Sequence, residues 1–329
     1  MKKIIVILAA LLLFVQPALA WNGKGHEVVA YIAYQQLTPA TRTKVNALLK
    51  LNPCYSEWSN TVKSLPSSSR KAAIFMLAAT WPDKIKFDSG TNKYDCQPGF
   101  SFVTDGTDNG DTAPAGPVAS QNIGYTDTHR HKYWHFVDQP FSTDGTATRP
   151  APSPNALDEI LTLSAALASG EPDALKSYDL VWLEHLVGDV HQPLHDTSRF
   201  TANHPQGDQG GNLVLICTKP KCSEELHAYW DGILGEEDLA ASIKMGKQLT
   251  AMGAPSGADV SDPHGWVADG LGLAKANVYI PPISDDEPGS PAGVPDKTYH
   301  DAAKALAETQ VRLAGYRLAN LLNQALGGS

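Results

Sequence analysis

The chain has 329 residues and a formal net charge of −9, with 26 Lys and Arg against 35 Asp and Glu. That length carries one large core or two modest domains. The acidic balance excludes a protein that wraps duplex nucleic acid with side-chain cations alone, although bound divalent cations would reverse the local field.

Residues 1–20 read as a signal peptide. Lys2 and Lys3 form a basic start, Ile4 to Val15 an apolar stretch, and Ala18-Leu19-Ala20 a small-x-small cleavage site. The apolar run is short for a bilayer span, a retained N-terminal anchor being the alternative. Cleavage would leave 21–329 as one exported domain, periplasmic or secreted, with no membrane span. Loss of Lys2 and Lys3 takes its charge from −9 to −11. Trp21 would then carry a free α-amine, whose pKa lies near neutrality, so that it can lose its proton and bind a metal.

The predicted elements are mostly helices. Residues 25–37 place Val28, Val29, Ile32, Ala33 and Leu37 on one face. Thr38-Pro39 opens a second helix through Val45, Leu48 and Leu49. Further helices are expected over 69–80, 155–168, 173–192, 236–252 and 298–326. In the last, Leu306, Leu313, Leu318, Leu321 and Leu322 supply an apolar face. Residues 213–216 form the clearest strand, which Lys219-Pro220-Lys221 could turn into a small hairpin. Residues 97–128 and 281–297, rich in Gly, Asp, Thr and Pro, read as long surface loops. No linker splits the motifs. The fold class is mainly α, a single-domain, bundle-like helical fold with a small β-hairpin. Cys54, Cys96, Cys217 and Cys222 read as two disulfides, Cys217 with Cys222 across a short turn and Cys54 with Cys96. A cysteine zinc site is the alternative, but its usual spacing is not repeated.

The chemistry concentrates at 182–195, Trp-Leu-Glu-His-Leu-Val-Gly-Asp-Val-His-Gln-Pro-Leu-His. His185 and Asp189 are four apart and share a helix face. Pro193 stops the helix, so His195 can turn back toward them. His227 and Asp231 repeat the spacing. His26, Asp83, His135 and His191 add further candidates. This exceeds what one tetrahedral zinc can use and points to a multi-metal cluster. The bland alternative is a buried helix with a few satisfied histidines.

With these motifs, the chain resembles the zinc-dependent, single-strand-specific nucleases secreted by fungi, plants and bacteria. It is more distantly similar to zinc-dependent phospholipase C. The resemblance implies a helical fold around three zinc ions. Asp83, His135, His185 and Asp189 would hold the first, and His195, His227 and Asp231 the second. The amine and carbonyl of Trp21, His26 and the other oxygen of Asp189 would hold the third. His191 stays outside. The implied activity is endonucleolytic cleavage of single-stranded RNA and DNA to 5′-phosphate products by a zinc-activated water, with 3′-nucleotidase activity as a further candidate. No stable protein partner is expected.

Asp138 would orient the water, unless it is a structural cap. Lys86 would meet the phosphate, unless it is a solvated lysine. Phe136 would stack a base, unless it is core, and Asn212 lies in a loop placed beside the site. Ile233 departs from the polar residue that fungal relatives often carry there. The competing functions are a phospholipase C, which tends to have Glu where this chain has Asp231, and a non-catalytic periplasmic zinc-binding protein.

Overall fold

Helix α1 (Gly23–Gln36) is the element against which much of the fold is built. The Asn22 side chain accepts a hydrogen bond from Gly25 N and caps it. Its apolar residues Val28, Val29, Ile32 and Ala33 are fully buried, each of the larger ones contributing about 1.5–3 kcal/mol. The structure is a computed structural model that describes residues 21–86, 96, 102–103, 112–283 and 290–327. The signal peptide read over 1–20 lies outside them.

Helix α2 (Pro39–Leu48) starts as expected, with Thr38 capping and Pro39 at its first position. Two short helices escaped the sequence reading, α3 (Tyr55–Thr61) and α5 (Trp81–Lys86). The helix expected at 69–80 is α4 (Ser67–Ala78). The Thr80 hydroxyl donates to Leu77 O (2.9 Å) at its end, and Pro82 suits the first turn of α5, which carries Asp83.

Helix α6 (Ala156–Ala168) begins with a capping box of Asn155 and Asp158. Helix α7 (Asp173–Asp189) ends earlier than the expected 192. His191 N and Gln192 N bond to Gly188 O and Asp189 O in tight turns, because Pro193 disfavours helical geometry in the residue before it. Helices α8 (Leu226–Asp231), α9 (Leu239–Ala251), α10 (Pro263–Leu273) and α11 (Lys297–Leu326) complete the α-helices among the described residues. Of these, α8 and α10 were not among the expected helices. Helix α1 packs on α4, α7, α9 and α11, and α7 packs on α1, α6 and α11. No described helix is long and apolar enough to cross a membrane.

Strand β1 (Gln139–Ser142) pairs in parallel with β2 (Thr197–Phe200), Gln139 opposite Thr197. This pairing was not foreseen, because Gln-Pro-Phe-Ser has no strand signature. The expected strand shrinks to β3 (Leu215–Ile216), antiparallel to β4 (Glu224–Glu225), a hairpin closed by Cys217–Cys222. Cys54 pairs with Cys96.

The two loop readings hold for most of the described residues, but a few are buried or bonded inward. In 112–128, Ala119 and Asp127 are buried, and Tyr133 and Trp134 both donate to Ala119 O. In 290–297, Ala292 N donates to Leu215 O and Gly293 O accepts from Cys217 N, widening the hairpin. Backbone groups satisfied this way let irregular chain pack inward.

Candidate metal centre

The end of α7 brings the first set together. The i,i+4 spacing stacks His185 and Asp189 on one face, with Nε2 of His185 3.3 Å from Asp189 Oδ2. His135 Nδ1 lies 3.2 Å from that same oxygen. Asp83 Oδ1 lies 3.6 Å from His185 Nε2 and 3.8 Å from His135 Nδ1. Asp189 Oδ1 turns the other way, 3.3 Å from His26 Nε2. The two oxygens of one carboxylate therefore address two groups of nitrogens.

Gly188 permits this. A Cβ there would lie 2.8 Å from His26 Nδ1, so no larger residue fits without moving the ring. The His26 ring stacks on His185 at 3.8 Å. Trp21 is buried, and Asn22 N donates to Asp231 O (3.2 Å). The segment before α1 is thereby tied to the end of α8.

The parallel strand pair organises the second set. Val137 N donates to His195 O (2.7 Å), and His195 Nδ1 bonds to His135 O (2.6 Å). His227 Nδ1 bonds to Gly210 O (2.7 Å). A ring nitrogen facing a carbonyl must carry the proton. His195 Nε2 and His227 Nε2 are then both lone-pair atoms, yet they face each other at 3.1 Å. Asp231 lies 3.4 Å from the His227 nitrogen and 3.8 Å from that of His195. Two opposed lone pairs beside a buried carboxylate form a receptor for a cation. A proton is a poor candidate, because burial lowers both histidines to about 4.

Burial, the largest cause, lowers His26 to about 4 as well and holds His135 and His185 well below their usual range. It pushes Asp231 up to about 6 and Asp83 and Asp189 upward. Without a cation, burial thus favours the uncharged form of every one of these groups. Both oxygens of Asp189, Asp83 Oδ1, Asp231 Oδ2 and both nitrogens of His26 are buried with no hydrogen-bond partner. Native proteins rarely leave such atoms unsatisfied. Imidazole nitrogen and carboxylate oxygen are zinc's own ligand types, and the residues fit it.

The other predicted residues fall around this cluster. Lys86 is buried rather than solvated, its Nζ 3.9 Å from Asp83 Oδ1. Asp138 adopts a left-handed conformation (φ 56°) that Asp tolerates better than most residues. Asp138, Phe136, Asn212 and His227 line one cleft of about 330 Å³. The Asn212 amide donates to Gln209 O (2.6 Å). Ile233 is buried. His191 lies elsewhere, bonded to Val187 O (2.7 Å) and Arg317 Nη1 (3.0 Å).

Three features escaped the sequence reading. Gln192 donates to Asp231 Oδ1 (2.7 Å) and orients it; its place inside the His-Gln-Pro-Leu-His run was the available signal. Asp208 accepts from Arg199 N (2.8 Å) and the Tyr279 hydroxyl (2.7 Å), bracing the turn that carries Gly210 and Asn212. Asp127, His129 and His131 form a further cluster. There His131 is saturated by Asp127 (2.7 Å) and Tyr133 (3.0 Å) and stacked on Trp134, which reads as a scaffold beneath His135.

The S1/P1 nuclease family model matches residues 21–327. The chain belongs to that family. Nuclease S1 of Aspergillus oryzae is 25% identical, covering 98% of this chain and 98% of its own. Nuclease P1 of Penicillium citrinum is 23% identical, over 93% of this chain and 98% of its own. Nuclease PA3 of a Penicillium species is likewise 23% identical with the same coverage. Family membership and the converging His and Asp side chains agree on a nuclease whose site could hold metal.

Proposed function

We propose that the protein is an exported, zinc-dependent endonuclease that cleaves single-stranded RNA and DNA to 5′-phosphate products and also acts as a 3′-nucleotidase. The observation that carries this is the pair of opposed lone-pair nitrogens on His195 and His227 beside Asp231, in a chain of the S1/P1 family. Asp83, His135, His185 and Asp189 would hold one zinc, and His195, His227 and Asp231 a second. His26, Asp189 and the amine and carbonyl of Trp21 would hold a third. Zinc bound there supplies positive charge for the phosphate and lowers the pKa of water toward neutrality.

The chain's own residues do the rest. Asp138, in the cleft beside His227, orients the attacking water. Lys86 faces the developing negative charge of the phosphate. Phe136 offers a stacking face, which any base can use. Asn212 lines the same cleft and meets a base edge there. The carbonyls of Ala79, His135 and Gly210, bonded to His185, His195 and His227, fix each ring's tautomer and angle.

The zinc-loaded protein is expected to turn over single-stranded polynucleotide and to leave phosphatidylcholine intact. The reverse preference would assign the same frame to a phospholipase C, and turnover of neither would assign it to metal storage.

A further inference from the structure

The charge of this acidic chain is not spread evenly. Residues 28–82 carry Arg42, Lys44, Lys50, Lys63, Arg70 and Lys71 and a single acid, Glu57. They fold as the end of α1 with α2, α3 and α4. Between these helices runs a groove of about 960 Å³ lined by Arg42, Lys50, Lys71, Asn46, Thr43 and Tyr55 among others. None of the described residues lining it is acidic. Lys50 and Lys71 are exposed and Tyr55 is half-buried. Among the described residues neither lysine is in an ion pair. Arg42 is tied down, its Nη2 donating to Tyr34 O (2.9 Å) and Leu37 O (3.3 Å), so its charge is fixed at the groove wall.

We propose that this groove is a second binding site for the phosphate backbone of single-stranded nucleic acid, separate from the metal centre. The proposal rests on the nuclease reading. A cationic track with an aromatic wall is what a sequence-tolerant single-strand site requires. In a protein of net charge −9, a local cluster of one sign needs a use, because a polyanion is otherwise repelled. A concave groove that sets Arg42, Lys50 and Lys71 around an apolar and aromatic floor suits a strand, with phosphates on the cations and bases on the floor, better than a flat lipid surface. The position also fits. Helices α1 and α4 connect groove and metal centre, with His26 near the start of α1 and Asp83 just past the end of α4. From Lys71 to Ala78 is seven residues of α4, about 10 Å at the helical rise, and Asp83 lies beyond that in α5. A dinucleotide cannot occupy both places, whereas a polynucleotide can.

The test is the affinity of the zinc-loaded protein for a labelled, cleavage-resistant phosphorothioate oligonucleotide, at several salt concentrations. Lys50→Gln with Lys71→Gln should raise the Kd on the order of tenfold and reduce the salt slope by about 1.4, roughly 0.7 per lost phosphate contact on a single strand. Cleavage of a dinucleotide should be unchanged. Both lysines are exposed, so the fold is not at stake. Lys244→Gln with Lys304→Gln, exposed lysines elsewhere, removes the same charge and should do much less. An unchanged Kd and slope, or an equal loss in this second pair, would overturn the site. Lost binding to anionic vesicles with an unmoved oligonucleotide Kd would also overturn it, giving the patch to lipid. Oligonucleotide binding without any cleavage by the unaltered protein would sink the nuclease reading and leave the groove standing.

Discussion

Asp189→Asn should lose activity and metal together. The substitution keeps size and shape, so the end of α7 should still fold. It removes the negative charge and replaces one oxygen with an NH2 that cannot bind metal. Whichever way the amide turns, the NH2 faces either His26 or the His135–His185 pair, 3.2–3.3 Å away in the native arrangement. Losing a group that only orients a ligand costs roughly 10–100-fold, and Asp189 serves two nitrogen groups directly, so its loss should exceed that. His191→Ala, two residues on, supplies the contrast. His191 is held by Val187 O and Arg317. Its removal leaves part of a buried guanidinium unpaired and should cost about 1–3 kcal/mol of stability, with metal content unchanged. Metal analysis and thermal unfolding of the two variants check this. Equal metal loss in both would mean that the helix face is misassigned.

Adding one alanine before Trp21 should remove the third zinc and most activity while the fold persists. An amide nitrogen is a poor ligand, because its lone pair is delocalised into the carbonyl. The Trp21 side chain is also closely packed. Trp21 is fully buried, and a Cβ on Gly25 would lie 2.5 Å from its own Cβ. The groups that fix this corner are the Asn22 contacts to Asp231 O and to Gly235 O (2.7 Å), and they do not depend on a free amine. Unfolding should therefore stay cooperative in the extended form. Comparing protein matured by export with the extended version, both loaded with zinc, is the check. Equal activity on single-stranded polynucleotide would remove Trp21 from the ligand set.

The parts of this site that were legible in the sequence are those in which local spacing determines geometry. The pairs His185/Asp189 and His227/Asp231 are i,i+4 on helices, and the structure places each pair side by side. The apolar faces of α1 and α11 were legible for the same reason. Convergence was not. Nothing in the spacing of His26, Asp83 and His135 brings them together, and their grouping came from the family resemblance alone. The parallel pairing of β1 with β2 was hidden because its hydrogen bonds join segments 58 residues apart, as Thr197 with Gln139, and its strands carry no periodicity. Helices α3, α5 and α8 are seven residues or fewer, too short for an apolar period to emerge. The 112–128 segment looked like a solvated loop because its polar residues are satisfied by partners far along the chain, such as Asn122 bonding Asp179.

The most direct test of the account is zinc content per chain, as a function of pH, of protein whose first residue is Trp21. Folded-state histidines lowered to about 4 (His26, His195, His227) contribute stability above their unfolded value of 6.5 that is lost as pH falls toward about 4. Carboxylates raised by burial, Asp231 to about 6, act in the opposite sense, contributing at low pH and losing that contribution as pH rises. Bound cations remove that carboxylate cost at neutral pH, and protons compete with them below it. The account predicts three zinc ions per chain at about pH 7, with zinc and single-strand cleavage lost together as pH falls from 6.5 toward about 4, the window set by the lowered histidines. One ion or none at full activity, or three retained with unchanged rates at about pH 3, below the ordinary carboxylate value, would contradict it.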